Sequence, residues 1–277
     1  MSGAGASGGA AGARWGDLKA RVLSAIVMIV VGLVEIWLGG WPFAALVILA
    51  CGAMIWELAR MTEGRASLPP VGLGVLGAAA LLAIELLPQD RGWTLPVAAV
   101  LAALPSLAGL PGGRRHRRAF VPYAFLIMLT GLALISLRAD PGLPVILWIV
   151  AVVVASDVAG YFAGRTIGGP KFWPAISPKK TWSGTIAGWI GAALVGLVFV
   201  QAGWGGWGLV ALSPLVAFTG QMGDIAESWI KRRTGVKDSS NLIPGHGGVM
   251  DRFDALATAT VLVWALSFVM PLPLAGG

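Results

Sequence analysis

Charge is scarce in this chain. Only 12% of its residues are Asp, Glu, Lys or Arg, against about 25% in soluble domains, while 57% are hydrophobic. That excludes an ordinary soluble fold. Cysteine is nearly absent: the single Cys51 lies in an apolar run, which excludes a disulfide framework and a cysteine-based metal site. Strict polar–apolar alternation is missing, and continuous apolar runs exclude a membrane β-barrel. There is no internal repeat either, and a repeat is what a secondary transporter, the competing class, would show.

What is present is a series of long apolar stretches. A helix needs ~20 apolar residues to cross a bilayer, so a chain of this length holds about nine spans with short loops. The expected fold is all-α, a polytopic integral membrane protein with spans near 22–38, 42–60, 71–87, 93–110, 119–137, 142–164, 184–203, 207–230 and 252–272. Gly and Ala are abundant, which suits close helix packing in lipid. Residues 1–13 are low-complexity and are expected to form a disordered tail. Residues 14–140 are expected to be a transmembrane scaffold and 141–277 a transmembrane catalytic region. The first apolar run continues through Trp37 with no small-residue cleavage site after it, so it is read as a span and not as a removed signal peptide.

The basic residues test this count. With the N-terminus in the cytoplasm and alternating spans, only Arg91 and Arg138 fall outside, and the other eighteen Lys and Arg fall inside. That is the positive-inside pattern, and it explains the net charge of +7 without nucleic acid. The run Arg114, Arg115, His116, Arg117, Arg118 reads as a topology and anionic-lipid element. The expected location is the bacterial cytoplasmic (inner) membrane.

The chemistry-bearing residues collect in two segments on that same side, 156–184 and 220–254. Asp224 and Glu227 are three apart near the end of span eight, and Asp251 and Asp254 are three apart at the start of span nine, so each pair shares a helix face. Two acidic pairs with a basic loop between them can hold a hard divalent cation through oxygen ligands. The plainer alternative is that Asp251 caps the helix and Asp224 pairs with Arg232. Lys231, Arg232, Arg233 and Lys237 suit phosphate oxygens, although basic residues at a cytoplasmic helix end are also ordinary anchors. In Gly245-His246-Gly247-Gly248 the backbone N–H groups can line an anion, and His246 can donate to phosphate or orient a carboxylate. Ser177-Pro178-Lys179-Lys180-Thr181-Trp182 places hydroxyls and cations beside span seven. Asp157 lies inside span six, where a carboxylate is functional by default or else pairs with Arg165 or Lys179. Glu35, Glu57 and Glu85 lie near span ends and are expected to reach water, with no assigned role.

The spacing S-x-x-K-R-x4-K-D-x7-H-G-G-x-x-D-R-x-D over Ser228–Asp254 resembles the signature of the phosphatidate cytidylyltransferases, the CDP-diacylglycerol synthases. Ser177–Gly184 and Asp157–Gly168 resemble two further blocks of that family. Two departures are Ser183, where an acid is expected, and Gly160, where Ala is expected. The resemblance implies transfer of a cytidylyl group from CTP to phosphatidate, with Mg²⁺ as cofactor, a second cation as an open alternative, and a homodimer. It implies Asp224 and Asp251 as metal ligands. Lys231, Arg232, Lys237 and His246 are then catalytic contacts to phosphate, and Ser177, Lys179, Lys180, Thr181, Asp157, Gly247, Gly248 and Arg252 bind substrate. The nearer alternatives are other CTP-using membrane lipid enzymes, a polyprenol kinase or a CDP-archaeol-type synthase.

An odd number of spans puts the termini on opposite sides. Cysteines introduced at Ser2 and Gly277 should therefore label from opposite faces of sealed vesicles, with Ser2 on the cytoplasmic side. Labelling of both from one face would rule the topology out.

Overall fold

The computed structural model describes residues 7–64, 68–88 and 94–274. Among them are nine α-helices: α1 (Ser7–Leu38), α2 (Gly40–Met61), α3 (Pro70–Glu85), α4 (Thr94–Ala108), α5 (Arg117–Ala139), α6 (Leu143–Thr166), α7 (Trp182–Gln201), α8 (Gly208–Thr234) and α9 (Met250–Ser267). Each falls on one of the expected spans. Six are long and apolar enough to cross a membrane: Leu18–Leu38 of α1, and α2, α5, α6, α7 and α8. Helices α3 and α4 are apolar but have only 16 and 15 residues. Helix α9 has 18 residues, with Asp251, Arg252 and Asp254 in its first turns. Helix α1 begins at Ser7, inside the expected tail, and residues 1–6 lie outside the described residues. A small antiparallel hairpin, β1 (Lys171–Trp173) with β2 (Ser177–Thr181), adds the only named strands among the described residues.

Local signals set the helix ends that matter. Thr181 caps α7, its Oγ1 accepting from the Gly184 N–H at 3.2 Å, which answers one of the open donors of a helix start. Helix α8 stops at Gly235, which is left-handed at φ 76°, and the Val236 N–H returns to the Lys231 carbonyl at 3.0 Å. Lys231, Arg232 and Arg233 occupy its last turn, where the helix dipole favours cations.

The core lies among α2, α5 and α6, around Met54, Ile55, Leu58, Phe120, Ile127, Met128, Trp148 and Ile149. Helix α7 packs between α6 and α8, and α9 packs on α8 and α5. The approach of α7 to α6 is close enough that a Cβ at Gly160 would stand 3.1 Å from the Gly184 carbonyl oxygen, and one at Gly184 would stand 2.6 Å from the Gly160 carbonyl oxygen. This gives Gly160, the departure from the family pattern, a plain packing reason. Helix α1 is different. Most of its large apolar side chains from Leu18 to Leu38 are exposed, as suits contact with lipid, and it is pinned near its ends. Arg138 donates to the Ile36 and Trp37 carbonyls at 2.7 and 3.1 Å, and Ser24 Oγ donates to the Pro244 carbonyl at 2.9 Å.

One member of the basic run departs from its expected role at the surface. Arg114 is 4% exposed. Its guanidinium donates to the carbonyls of Ala59 (2.7 Å), Gly109 (3.0 Å) and Leu68 (3.2 Å) and lies 4.5 Å from the centre of the Phe120 ring. Ala59 lies in the last turn of α2, where carbonyls lack intrahelical partners, so Arg114 closes a helix end. Arg115, Arg117 and Arg118 stay exposed.

The connectivity brings five helix ends together, the starts of α7 and α9 and the ends of α2, α6 and α8, and α1 passes beside them at Ser24. The β-hairpin lies among them, and the polar residues of both segments meet there.

Candidate functional site

The start of α9 is held by two carboxylates. Glu57, from α2, is completely buried. It accepts from Ser240 Oγ (2.5 Å), the Val249 N–H (2.9 Å), the Met250 N–H (2.7 Å) and Ser239 Oγ (3.1 Å). Asp251 accepts from the Gly248 N–H (2.8 Å) and the Ser239 N–H (2.9 Å), and its other oxygen takes Lys231 Nζ at 2.8 Å. A hydrogen bond to a charged group contributes about 1.5–3 kcal/mol, and the positive end of a helix favours anions. Glu57 does not reach water, as its place near a span end suggests it should. It fastens the N-terminal half of the chain to the loop before α9, and Arg60 adds a bond to the Ser239 carbonyl at 2.9 Å.

This arrangement explains the glycines of the turn. At Gly247, where φ is 84°, a Cβ would stand 2.7 Å from Asp251 Oδ2, and at Gly248 it would collide with Ser239 and Glu57. The Gly248 N–H, expected to line an anion, goes to Asp251 instead. His246 is fixed from the far side, with Nδ1 2.8 Å from Ser24 Oγ of α1. Arg252, itself exposed, donates to the His246 carbonyl at 3.1 Å.

A second group of carboxylates lies across Lys231. Asp224, Glu227 and Asp254 each present an oxygen within 4.8 Å of the others. At that separation and an effective dielectric of ~20, each ionised pair repels by about 3 kcal/mol. Two lysines offset part of this: Lys231 meets Glu227 at 2.7 Å and Lys180 meets Asp224 at 2.5 Å. Glu227 is fully buried, yet its second oxygen, Oε1, has no hydrogen-bond partner. A buried carboxylate oxygen without a donor is costly. An oxygen-only donor set with one orphaned atom is what a hard divalent cation takes, so the residues fit such an ion. Asp251, the expected partner of Asp224, stands outside the group, on the other side of Lys231. Asp224 makes its pair with Lys180, and Arg232 donates to the Ile176 carbonyl at 2.5 Å.

Two cavities flank the acidic group. The first, of about 650 Å³, lies among α6, β2, α7 and α8, and is lined by Asp157, Tyr161, Arg165, Lys179, Lys180, Thr181 and Asp224 among others. The second, of about 500 Å³, lies at the end of α8 and is lined by Ser228, Lys231, Arg232, Gly235, Val236 and Lys237. Ser228 Oγ donates to Asp224 Oδ1 at 3.3 Å, so the boundary between the cavities runs through this pair. Ser177 sits opposite Trp173 in the hairpin, outside both linings. Ser183, the other departure, bonds to the Gly168 carbonyl and to Thr181, so it ties the hairpin to α7.

Fold and site together define a helical membrane protein with a charge-dense polar site at one end of its bundle. The chain belongs to the cytidylyltransferase family, whose profile matches residues 19–270. It is 38% identical to the phosphatidate cytidylyltransferase of Brucella suis biovar 1 (strain 1330), over 93% of this chain and 96% of that one. It is 34% identical to the phosphatidate cytidylyltransferase of Staphylococcus saprophyticus, over 86% and 94%. With the phosphatidate cytidylyltransferase of Pseudomonas aeruginosa it shares 33% identity, over 92% and 100%.

Glu57 gives this subsection its test. Glu57→Gln keeps the shape but removes the charge that holds the Val249 and Met250 amides. It should lower turnover about tenfold or more, equivalent to about 1.4 kcal/mol, and should raise amide exchange across 239–250. Wild-type turnover and exchange would show that Glu57 does not organise the site.

Proposed function

We propose that this chain transfers the cytidylyl group of CTP to phosphatidate, giving CDP-diacylglycerol and pyrophosphate. The observation that carries this reading is the acidic group Asp224, Glu227 and Asp254 standing between two cavities lined with cations. The names of the relatives supply the substrates. A phosphate oxygen of phosphatidate is already anionic and can attack the α-phosphorus of CTP directly, while the bond from that phosphorus to the bridging oxygen breaks and pyrophosphate leaves with the electron pair. No strong base is required. What the reaction does require is that two polyanions be brought together in line.

The residues divide this work. Arg232 and Lys237 line the second cavity and can hold phosphate there, and Lys179 and Arg165 do the same at the first. Lys180 and Lys231 hold the acidic group in place, and Lys231 also fixes Asp251 and with it the turn through His246. Asp224, Glu227 and Asp254 would hold Mg²⁺, which when bound neutralises phosphate charge and stabilises the leaving pyrophosphate. Asp251 positions Lys231 and the start of α9. In the cytoplasmic membrane, with the N-terminus inside, the end of the bundle that carries both cavities faces the cytoplasm, from which CTP arrives.

The direct test is turnover of labelled CTP by purified protein, with and without phosphatidate and Mg²⁺, and mass identification of the lipid product. A phosphorylated polyprenol or an ether-lipid product would move the chain to another CTP-using enzyme. Asp224→Asn and Asp254→Asn should each lower turnover more than about 100-fold and raise the Mg²⁺ requirement of what remains. The double variant should be little worse than either single one, as residues acting as a unit behave. Asp251→Asn should lower turnover with the Mg²⁺ requirement unchanged, and Arg118→Ala should leave both unchanged. A raised Mg²⁺ requirement in Asp251→Asn, with a normal one in Asp254→Asn, would reverse the ligand assignment.

A further inference from the structure

Asp157 is a carboxylate with nothing to hold. It lies nine residues before the end of α6, about 13 Å along the helix at 1.5 Å per residue, at a depth where an ionisable group is expensive. Its side chain is exposed, and the space it faces is the first cavity. Among the described residues it makes no hydrogen bond or ion pair. The cations that could satisfy it are turned elsewhere: Lys180 to Asp224 at 2.5 Å, and Arg165 to the Tyr161 hydroxyl at 2.9 Å. The alternative of a structural ion pair with Arg165 or Lys179 is therefore not formed.

An ionised carboxylate only accepts hydrogen bonds. Phosphatidate presents phosphate and ester oxygens, which also only accept, and its charge repels Asp157. CTP is different. Its nucleoside carries N–H and O–H donors, the exocyclic amine of cytosine and the ribose hydroxyls. Of the two substrates, only the nucleotide offers this carboxylate a partner.

The same helix face carries two further groups at one-turn spacing. Tyr161, four residues on and 60% exposed, offers a ring against which a base can stack, worth about 1–3 kcal/mol per base. Arg165, four residues further, stands nearer the end of α6 and suits phosphate. An acceptor, a ring and a cation thus run from the depth of the cavity towards its mouth, and Asp224 of the acidic group lines the same space. The volume of about 650 Å³ is within the usual range for small-molecule sites.

We propose that Asp157 accepts a hydrogen bond from the nucleoside of CTP, and that the cavity among α6, α7 and α8 is the nucleotide cavity. This rests on the cytidylyl-transfer reading. The phosphate of the lipid then falls to the second cavity, whose charged lining groups are all cationic: Lys231, Arg232 and Lys237.

The experiment is steady-state turnover of the purified, correctly inserted full chain with CTP, UTP and 2′,3′-dideoxy-CTP. UTP lacks the amine, and the dideoxy analogue lacks the ribose hydroxyls. The wild type should disfavour the analogue missing the recognised donor, which identifies the donor. Asp157→Ala should raise the KM for CTP about tenfold or more, the loss of one charge-assisted bond, leave the KM for phosphatidate unchanged and erase that discrimination. Asp157→Asn keeps an acceptor oxygen and should recover part of the CTP affinity. The proposal is overturned if the wild type uses all three nucleotides equally, or if Asp157→Ala keeps the wild-type preference. It is equally overturned if the KM for phosphatidate rises instead. A raised Mg²⁺ requirement with nucleotide preference intact and no recovery in Asp157→Asn would make Asp157 a cation ligand. Absence of any CTP turnover by the wild type would sink the reaction reading itself, a result distinct from all of these.

Discussion

Lys231 is the side chain on which the site turns. Its ammonium meets Glu227 at 2.7 Å and Asp251 at 2.8 Å, and those two carboxylates belong to different helices with different tasks. Glu227 belongs to a group of three acids. Asp251 belongs to the start of α9, where with Glu57 it takes up the free amides. Removing the lysine would leave buried carboxylates opposed across the α8–α9 seam, with a repulsion of about 3 kcal/mol at an effective dielectric of ~20. One cation therefore divides the acidic residues into a structural set and a set with unused ligand capacity, the orphaned Glu227 oxygen being its clearest member.

The same logic runs outward. Helix ends carry unsatisfied backbone groups, and in a membrane protein water reaches them only at the surface. Here five helix ends meet, and charged side chains close two of them, Glu57 and Asp251 at the start of α9 and Arg114 at the end of α2, while Arg138 closes the far end of α1. Several of these bonds join segments far apart in sequence, Arg114 to Ala59 and Glu57 to Met250 among them. The N-terminal and C-terminal halves of the chain are thus not independent. Glu57 and Arg60 of α2 hold the loop that carries Ser239, and Ser24 of α1 holds the turn at His246. The turn is held from the N-terminal helices, while the cavity linings come from α6, α7, α8 and the β-hairpin.

Much of this was legible in the sequence. Apolar run lengths gave the nine helices, because in lipid every backbone group must be satisfied within a helix and the run length is the only free variable. The two polar segments were legible because charge is rare here and its position therefore informative. Less legible was the partner of each charge. Asp224 and Asp251 each stand three residues before a second acid, but which one keeps free ligand atoms depends on where Lys231 reaches and on the amides of Ser239 and Gly248, which is three-dimensional information. Glu57 was read as a residue near water because nothing in its neighbourhood in sequence shows that a loop some 180 residues away would cover it. Arg114 was hidden the same way, as one arginine among several whose burial follows from the carbonyls above it. The β-hairpin was missed because a polar loop of mixed composition carries no period.

The central claim is that Asp224, Glu227 and Asp254 have ligand capacity left over and Asp251 has none. Crystals of the protein grown with Mn²⁺ in place of Mg²⁺ test this most directly, because anomalous scattering locates the ion without reference to activity. The expected result is a peak within about 2.2 Å of carboxylate oxygens of Asp224, Glu227 and Asp254, with Lys231 still bound to Asp251. A peak coordinated by Asp251, with Lys231 displaced from it, would contradict the account.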